Sequence, residues 1–352
     1  MRDDKPAGKV KIAAKPIGEG EPCFIIAEAG VNHNGDINLA KRLIDGAKEA
    51  GADAVKFQTF TADELVTRDA AKAGYQHRAK ESKQYEMLQN LELSYDEFRE
   101  LKKYCGDKGI EFMSTPYDIK SVAFLDGLVN RFKIASADLI NKPLIEAVAR
   151  TKKQVILSAG MATLAEIERA ISLINGLGNG NIILLHCTTS YPAPYDQVNM
   201  KVLPTLQSSF GLPVGYSDHT PGITIPIMAV SLGARVIEKH FALDRTMPGP
   251  DHFASLEPGE LKEMVKAIRD VEFALGSSRK ELTDEEKKNF FFMRRSLHAA
   301  ADIAEGETIK ESNIKIVRPF DAIEPWFLDN VLGRRAKAAI KKESPIRWED
   351  LR

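Results

Sequence analysis

The chain has 352 residues, of which 43% are hydrophobic, and its 49 lysines and arginines nearly balance 50 aspartates and glutamates, giving a formal net charge of -1. A near-neutral charge gives no electrostatic basis for binding nucleic acid or an anionic membrane surface. No apolar run approaches the roughly 18 residues that span a bilayer, and the first residues, MRDDKPAGKVKIAAK, lack the apolar core of a signal peptide.

The three cysteines, Cys23, Cys105 and Cys187, are odd in number and form no CxxC pair. This usage is typical of buried free thiols in a reducing compartment. Together with the missing signal peptide, it predicts a cytoplasmic protein.

Short apolar runs alternate with amphipathic patterns from residue 23 to about residue 275. Eight runs are predicted as buried strands: CFIIAE (23–28), AVKFQT (54–59), EFMSTP (111–116), RFKIAS (131–136), VILSAG (155–160), IILLHC (182–187), PVGYSD (213–218) and RVIEKH (235–240). Segments between them, such as NLAKRLIDGAKEAGA, carry apolar residues at the three- and four-residue spacing of helices. Eight strands alternating with helices predict a parallel sheet closed into a (β/α)8 barrel.

One long insertion, residues 60–92, follows the second strand. It is polar, with the sequence DELVTRDAAKAGYQHRAKESKQYEML at its centre. Long connections in compact domains are often functional loops, so we expect this segment to be a lid or an active-site loop.

The tail after the charged stretch GSSRKELTDEEKKNFFFM contains an internal repeat. DIAEGETIKESNI (302–314) aligns with AIKKESPIRWEDL (339–351), which matches Ile303 with Ile340 and Ile309 with Ile346. Two such halves predict a small domain of β and 3₁₀ character that would be marginally stable alone. We therefore expect a barrel domain over residues 1–280, a linker with helical character over 281–293 and a small β-rich domain over 294–352.

Every predicted barrel strand delivers polar residues at its C-terminal end, where the chemistry of (β/α)8 barrels takes place. In strand order these residues are Glu28; Lys56 and Gln58; Ser114 and Thr115; Lys133, Ser136 and Asp138; Ser158; His186, Thr188, Thr189 and Tyr191; Ser217, Asp218 and His219; and Glu238 and His240, followed by Asp251. One such residue can be a polar cap where a strand leaves the core. A set from all eight strands would crowd one small mouth, so the pattern favours a ligand site.

This set divides into two kinds of site. Two lysines and several hydroxyls form a cationic pocket suited to a phosphate or a carboxylate: Lys56, Lys133, Ser114, Ser136, Ser158 and Ser217. His219 and His240 end adjacent strands and can converge on one ion, such as Mn²⁺ or another divalent cation that keeps open positions. Taken singly, either histidine could instead be a hydrogen-bonded wall residue. We expect a wall position for His186 and a turn-stabilising or substrate-near position for His33.

The motifs that carry these residues resemble those of a known family. IIAEAGVNHNGD, ADAVKFQTF, MSTPYD, KIASAD, LSAGMA, LLHCTTSYPAP, GYSDHT, VIEKHFALD and GPDHFASLEPGE are similar, in this order, to motifs of the sialic acid synthase family, the phosphoenolpyruvate-dependent synthases of nonulosonic acids. The tail, RRSLHAAADIAEGETI followed by NIKIVRP, resembles the antifreeze-like (SAF) domain that ends those enzymes.

The resemblance implies condensation of phosphoenolpyruvate with an N-acyl hexosamine, first of all N-acetylmannosamine, to a nine-carbon sialic-type acid and phosphate. Legionaminic, pseudaminic, spore-coat and capsule sugar synthases of the same family are alternatives. It also implies a divalent metal, preferably Mn²⁺ with Mg²⁺ as the alternative. The implied assembly is a domain-swapped homodimer in which the SAF domain of one chain closes the barrel of the other.

Carried over by motif, the resemblance assigns a role to each candidate residue. The implied metal ligands are His219 and His240, and the implied catalytic pair is Glu28 and Asp251. Phosphoenolpyruvate would contact Lys56, Thr115, Lys133, Ser136, Ser158 and Ser217, and the sugar would contact Gln58, Asp138, Tyr191 and Arg318. Arg318 matches the arginine that reaches across the dimer toward the acyl group.

Two departures from the family pattern lie near the expected sugar site. Asp138 stands where many bacterial members have glutamate in a KIxSxE pattern, and FDAIEPW follows Arg318 and Pro319 in place of a GxG-like stretch. Three rival interpretations remain. An octulosonate phosphate synthase would take a sugar phosphate and would not need the tail, a non-catalytic sugar-binding barrel would show no turnover, and a barrel hydrolase is disfavoured by the missing HxH after the first strand.

Overall fold

A computed structural model describes residues 15–74, 76 and 81–352. The chain forms two compact units that divide between Gly276 and Ser277. The segment without the apolar core of a signal peptide was residues 1–15, of which 1–14 lie outside the described residues. None of the described helices combines the length and the apolar character needed to cross a membrane.

Within the described residues, the first unit contains eight strands and ten helices that alternate along most of the chain. The strands are β1 (Phe24–Gly30), β2 (Ala54–Thr59), β3 (Glu111–Pro116), β4 (Arg131–Ile134), β5 (Gln154–Ser158), β6 (Ile182–Cys187), β7 (Val214–Asp218) and β8 (Val236–His240). The helices are α1 (Ile37–Glu49), α2 (Ala62–Leu65), α3 (Gln84–Gln89), α4 (Tyr95–Lys108), α5 (Ile119–Asp126), α6 (Lys142–Arg150), α7 (Leu164–Gly176), α8 (Val202–Phe210), α9 (Thr224–Ser231) and α10 (Pro258–Leu275).

All hydrogen-bonded neighbours among these strands are parallel, in the order β3-β2-β1-β8-β7-β6-β5-β4. β3 and β4 lie side by side at the seam, so the barrel is nearly closed. The predicted (β/α)8 barrel is therefore confirmed. Local signals set its helix ends: Ser94 and Glu97 form a capping box at the start of α4, and Gly109 ends it in the left-handed conformation.

Buried side chains of the strands form two separate layers. The layer inside the barrel consists of Phe24, Ile26, Ala54, Met113, Ile156, Ile183, Leu185 and Val236. The larger layer, between strands and helices, includes Ile25, Val55, Phe112, Phe132, Val155, Leu184, Val214, Tyr216 and Ile237. Because successive side chains of a strand point to opposite faces, this division fixes which polar residues at each strand end point into the barrel.

A buried ion pair marks the N-terminal end of the barrel. The Arg131 guanidinium donates to Glu111 Oε1 at 2.9 Å from Nε and to Gln154 Oε1 at 2.7 Å from Nη1. These residues begin β4, β3 and β5, at the barrel end opposite the predicted site.

Gly215 in β7 leaves no room for a side chain. A Cβ there would lie 2.5 Å from the carbonyl oxygen of Val236 and 2.6 Å from Cδ2 of Leu185. We expect Gly215→Ala to lower the free energy of unfolding by about 1–3 kcal/mol through overpacking. Gly106→Ala is the matched control: that site in α4 is open, and alanine should raise stability by about 0.5–1 kcal/mol. The measurement is denaturant unfolding. A change of the unfolding free energy in the same direction for both variants would contradict this account.

Within the part of the chain that the structure describes, the second unit contains two antiparallel strands, β9 (Ser296–Ala299) and β10 (Ile314–Val317), and two helices, α11 (Asp284–Met293) and α12 (Leu328–Val331). α11 occupies most of the predicted linker, and Thr283 and Glu286 form a capping box at its start. The helical character expected of this segment is thus confirmed.

The internal repeat predicted in the tail corresponds to two similar local structures. Ile303 and Ile340 pair with each other, each N–H donating to the other's carbonyl at 2.9 Å. Each half then forms one 3₁₀ turn, Glu311–Asn313 in the first and Trp348–Asp350 in the second. In each turn the side chain of the last residue accepts from the backbone N–H of the residue just before the turn: Asn313 accepts from Lys310, and Asp350 accepts from Arg347. A separate small core buries both halves together.

Candidate active site

A cavity of about 280 Å³ lies at the C-terminal ends of the barrel strands. Most of the predicted site residues line it: Glu28, Lys56, Gln58, Thr115, Lys133, Ser136, Ser158, Tyr191, Ser217, His219 and His240. The inner layer explains this convergence. Ile26, Ala54 and Val236 point into the barrel, so residues two or four positions further along the same strands also point inward.

Two buried lysines provide positive charge at the base of this cavity. The Lys56 Nζ atom lies 2.6 Å from Glu28 Oε2 and donates to Thr115 Oγ1 at 3.0 Å. The Lys133 Nζ atom lies 3.3 Å from Glu238 Oε1. Lysines are almost never fully buried unless they are paired, and here their partners are carboxylates of the same cavity.

The sequence predicts Glu238 at the end of the eighth strand but assigns it no function. Its carboxylate accepts from Ser217 Oγ at 2.9 Å and lies 3.6 Å from Lys56 Nζ and 3.3 Å from Lys133 Nζ. Burial alone would raise the pKa of Glu238, but Lys133 and Lys56 together lower it. The signal that could have identified it is its position two residues before His240, on the same face of the strand.

The predicted hydroxyls do not all reach the cavity. Ser136 Oγ accepts from the Gly160 N–H at 3.0 Å, and Ser158 Oγ is buried without a hydrogen-bond partner in the described structure. Ser114 does not line the cavity, so its predicted place in the pocket is wrong. Its neighbour Met113 belongs to the inner layer, which turns Ser114 to the outer face, where Oγ lies 2.7 Å from Thr59 Oγ1.

The two predicted metal ligands lie side by side. The ring centroids of His219 and His240 are 5.3 Å apart, and the Tyr191 ring lies 4.1 Å from His219. His219 Nδ1 lies 2.8 Å from the Thr188 carbonyl oxygen. Because a carbonyl only accepts, Nδ1 carries a proton and the Nε2 lone pair is left for a cation when the ring is neutral.

His240 also fits a metal ligand. Its Nδ1 is buried and has no hydrogen-bond partner among the described residues, and it lies 3.8 Å from Asp251 Oδ2. Burial, and then His219, hold the pKa of His240 well below its usual value, which keeps the ring neutral. Burial opposes protonation of His219, but Cys187 and the Thr188 carbonyl raise its pKa, so a cation would compete with a proton there.

No group of three or more His, Cys, Asp or Glu side chains among residues 15–74, 76 and 81–352 is arranged to hold a metal ion. A cation bound by the two imidazoles would therefore need oxygen atoms of water or substrate in its other positions. The metal site itself stays a prediction from the sequence.

The predicted catalytic carboxylates are both buried. Burial raises the pKa of Glu28, against the opposing effect of Lys56, and Gln58 Nε2 lies 3.3 Å from Glu28 Oε1. Burial raises the pKa of Asp251 to about 6, against the effect of His219. Raised carboxyl pKa values suit groups that exchange protons near neutral pH. Asp251 lies behind His240 and does not line the cavity itself.

Two predicted sugar contacts lie outside the cavity lining. Asp138 is in a 3₁₀ turn after β4, where its Oδ1 accepts from Asn141 Nδ2 at 3.0 Å. Arg318 belongs to the second unit, where it is exposed and Nε donates to the Met293 carbonyl at 2.8 Å.

The insertion after β2 contributes to the cavity, as expected of a lid or active-site loop. Leu65, Val66, Gln84 and Leu88 line the cavity. Residues of α2 and α3 pack with neighbouring loops in a separate apolar cluster: Val31, Phe60, Ala62, Met87, Leu88 and Leu91. Residues 75 and 77–80 of the predicted lid lie outside the described residues.

Three other expectations are confirmed. His186 is a wall residue whose Nε2 donates to the Val198 carbonyl at 2.7 Å, and His33 stabilises its turn by accepting from the Gly35 N–H at 3.1 Å. The three cysteines are buried and free. Of these, Cys187 lines the cavity, with Sγ 3.8 Å from His219 Nδ1.

The VNHNG segment holds the loop that carries Asp251. Asn32 Nδ2 donates to the Phe241 carbonyl at 2.9 Å and to Ser255 Oγ at 3.0 Å, and Asn34 Nδ2 donates to the Pro248 carbonyl at 2.9 Å. These bonds tie the loop after β1 to the loop after β8, and so fix Asp251 beside His240.

Comparison with protein families gives two matches that together cover most of the chain. The NeuB family matches residues 43–280, and the SAF domain matches residues 294–352.

Similar proteins include acid synthases from bacteria and animals. The N,N'-diacetyllegionaminic acid synthase of Legionella pneumophila is 46% identical, over 96% of this chain and 97% of its own. The human N-acetylneuraminate-9-phosphate synthase is 38% identical, over 95% of this chain and 94% of its own. The crystal structure of an N-acetylneuraminic acid synthetase from Leptospira borgpetersenii, in complex with citrate, has a TM-score of 0.71 and 39% identity, covering 80% of this chain and 95% of that one.

Proposed function

The chain belongs to the NeuB family, and from that premise we propose that it condenses phosphoenolpyruvate with an N-acyl hexosamine to a nonulosonic acid and inorganic phosphate. The observation that carries this proposal is one cavity that joins a two-lysine, hydroxyl-lined pocket to a pair of imidazoles. An anionic substrate and a cation-polarised carbonyl would meet there.

The lysine pocket would bind phosphoenolpyruvate. Lys56 and Lys133 present ammonium groups to its carboxylate and phosphate, and Ser136, Ser158 and Ser217 add hydroxyl donors. In the free protein Glu28 and Glu238 neutralise these lysines. The bound anion would therefore compete with two carboxylates. This favours protonation of Glu28, because burial outweighs the effect of Lys56 there and raises its pKa, whereas the two lysines lower the pKa of Glu238.

The reaction joins two carbons and then breaks a C–O bond. C3 of phosphoenolpyruvate attacks the aldehyde carbon of the open-chain sugar, and the electron deficiency passes to C2 as an oxocarbenium ion. Water adds at C2 and loses a proton, and the tetrahedral intermediate then releases phosphate with the bridging oxygen. Glu28, which lines the cavity, and Asp251, which lies beside His240, are the groups proposed to move the protons of water and of the new hydroxyl.

A divalent cation, Mn²⁺ by preference, would be held by His219 and His240. When bound it would act as a Lewis acid on the aldehyde oxygen. The two imidazoles lie side by side, with ring centroids 5.3 Å apart, and Tyr191 packs against both rings.

The acyl sugar is proposed to be a diacetamido-dideoxy hexose, with N-acetylmannosamine as the second candidate. Identity of 46% to the Legionella N,N'-diacetyllegionaminic acid synthase exceeds the 38% to the human N-acetylneuraminate-9-phosphate synthase. Asp138 has a shorter side chain than the glutamate of the KIxSxE pattern, and it directly follows Ala137, which lines the cavity.

The partner of each barrel is proposed to be the SAF domain of a second copy. The small unit has its own ten-residue apolar core, and domains of this size gain stability by docking. In this homodimer Arg318 of one chain would reach the sugar bound in the other.

A substrate panel tests the proposed reaction. The protein is incubated with Mn²⁺, phosphoenolpyruvate and one of three sugars: the diacetamido-dideoxy hexose, N-acetylmannosamine or arabinose 5-phosphate. We expect phosphate release with an acyl hexosamine and a product with the mass of that sugar plus pyruvic acid. Label in the bridging oxygen of phosphoenolpyruvate should appear in the phosphate. Turnover only with arabinose 5-phosphate would indicate an octulosonate-type synthase, and no turnover with any sugar would indicate a binding protein.

The two lysines allow a quantitative prediction. We expect Lys56→Met and Lys133→Met each to lower kcat/KM for phosphoenolpyruvate about tenfold or more, because a charge-assisted hydrogen bond contributes about 1.5–3 kcal/mol. Lys266→Met, at an exposed position of α10, is the control and should match the wild type. A loss confined to the KM for the sugar would assign these lysines to the other substrate.

A further inference from the structure

We propose that Lys239 and Asp218, a buried ion pair behind the cavity, are positioning residues that set the relative placement of His219 and His240. This inference rests on the metal role proposed for those histidines. It adds two residues that do not line the cavity themselves.

The pair joins the two strands that end in the histidines. Asp218 of β7 and Lys239 of β8 are direct partners in the parallel ladder. Tyr216 and Ile237 of the same strands belong to the layer between barrel and helices. The alternation of strand side chains therefore turns Asp218 and Lys239 outward. Each residue immediately precedes one histidine, so the pair links the two backbones at the point where the imidazoles leave them.

Its contacts hold the backbone on both sides of His219. Lys239 Nζ lies 2.5 Å from Asp218 Oδ2 and also donates to the Thr220 carbonyl. Asp218 Oδ1 accepts from the Thr220 N–H at 2.9 Å, and its Oδ2 accepts from Thr220 Oγ1 at 3.1 Å. One ammonium group thus connects residues 218 and 220 to the adjacent strand.

His240 is fixed from its other side as well. The Leu256 N–H donates to the His240 carbonyl at 2.8 Å, and the Phe241 N–H donates to the Glu28 carbonyl at 2.8 Å. β8 is thereby fixed to β1 and to the loop before α10. The Lys239 side chain then connects β8 to the residues on both sides of His219.

Stability alone is a poor explanation for such a pair. Both side chains are fully buried, at 0% exposure, and a buried ion pair of this kind can usually be replaced by apolar residues without loss of stability. Unlike an apolar pair, a buried ion pair fixes the distance and the relative orientation of the two side chains. Partners outside the ligand shell that orient ligands typically change metal affinity 10–100-fold when they are removed.

The test measures binding of Mn²⁺ alone to the full-length protein by the electron paramagnetic resonance signal of free Mn²⁺. We expect Lys239→Met to bind Mn²⁺ about 10–100-fold more weakly than the wild type, with an altered spectrum of the bound ion. Arg131→Met is the matched control, because it breaks a buried ion pair at the opposite end of the same barrel. It should lower the melting temperature and leave Mn²⁺ affinity unchanged.

A second variant covers the case in which Lys239→Met does not fold. The double variant Lys239→Gln, Asp218→Asn removes both charges of the pair, but the shorter side chain at position 239 cannot reach both the side chain at position 218 and the Thr220 carbonyl. We expect it to fold and to bind Mn²⁺ weakly. Wild-type affinity in either variant would overturn the proposal, and so would an equal loss of affinity in Arg131→Met.

The same binding measurements distinguish failure of the ion-pair role from failure of the metal assignment. If the wild type and Lys239→Met bind Mn²⁺ equally well and His219→Ala does not bind it, only the role of the ion pair is refuted. A wild type that binds no Mn²⁺ would overturn the metal assignment together with this inference.

Discussion

Chelation of divalent cations is expected to abolish phosphate release, and added Mn²⁺ is expected to restore it. His219→Ala and His240→Ala should each remain inactive at any Mn²⁺ concentration that saturates the wild type. The reason is the proposed donor set: two adjacent imidazoles would provide the protein ligands, so removal of either would leave the cation with one.

The control for this prediction is His186→Ala. His186 lies one residue before the end of β6, but it is a wall residue bound to the Val198 carbonyl and does not line the cavity. We expect that variant to lose some stability and to keep its Mn²⁺-dependent turnover. A His219→Ala protein with wild-type activity in metal-free buffer would remove the metal assignment.

The second large effect is expected from complementation between two inactive proteins. Arg318→Ala should lack almost all synthase activity because the sugar loses its arginine, and His240→Ala should lack it because the barrel cannot bind metal. After subunit exchange, the mixture should regain activity. A heterodimer of the proposed arrangement contains one site with an intact barrel and an intact arginine.

Arg334→Ala is the matched control for Arg318→Ala. Arg334 is an exposed arginine of the same unit whose Nε donates to a backbone carbonyl, that of Asn330, at 2.8 Å. It should be active alone. A mixed, subunit-exchanged sample as inactive as its two parents would show that Arg318 does not act across a dimer. Deletion from residue 285 onward should likewise leave the barrel, which has its own core, with almost no synthase activity.

The arrangement of charge in the cavity bears on the proposed binding of phosphoenolpyruvate. Lys56, Lys133, Glu28 and Glu238 form one buried group of two cations and two carboxylates. A dianionic or trianionic substrate changes that balance, because buried charges are stable only when they are paired. Binding of phosphoenolpyruvate would therefore be coupled to the protonation of a carboxyl group, and Glu28 is the group whose environment already favours its proton.

The sequence by itself determined the elements and their order. The runs at 54–59, 111–116 and 182–187 coincide with β2, β3 and β6, because buried parallel strands are short apolar runs bounded by turn residues. The repeat in the tail was equally visible, since Asn313 and Asp350 form their turns with partners only three residues away. Local patterns of this kind need no knowledge of the fold.

Only the tertiary structure decided which side chains meet. A strand buried on both faces shows no alternation of polar and apolar residues, so the run EFMSTP gave no sign that Thr115 points into the barrel and Ser114 out of it. The contacts of Glu238 with two lysines, and the bond between Lys239 and Asp218, join residues about 20 or more positions apart. Such pairs are set by strand register and barrel closure, which bring the ends of separate strands together in space.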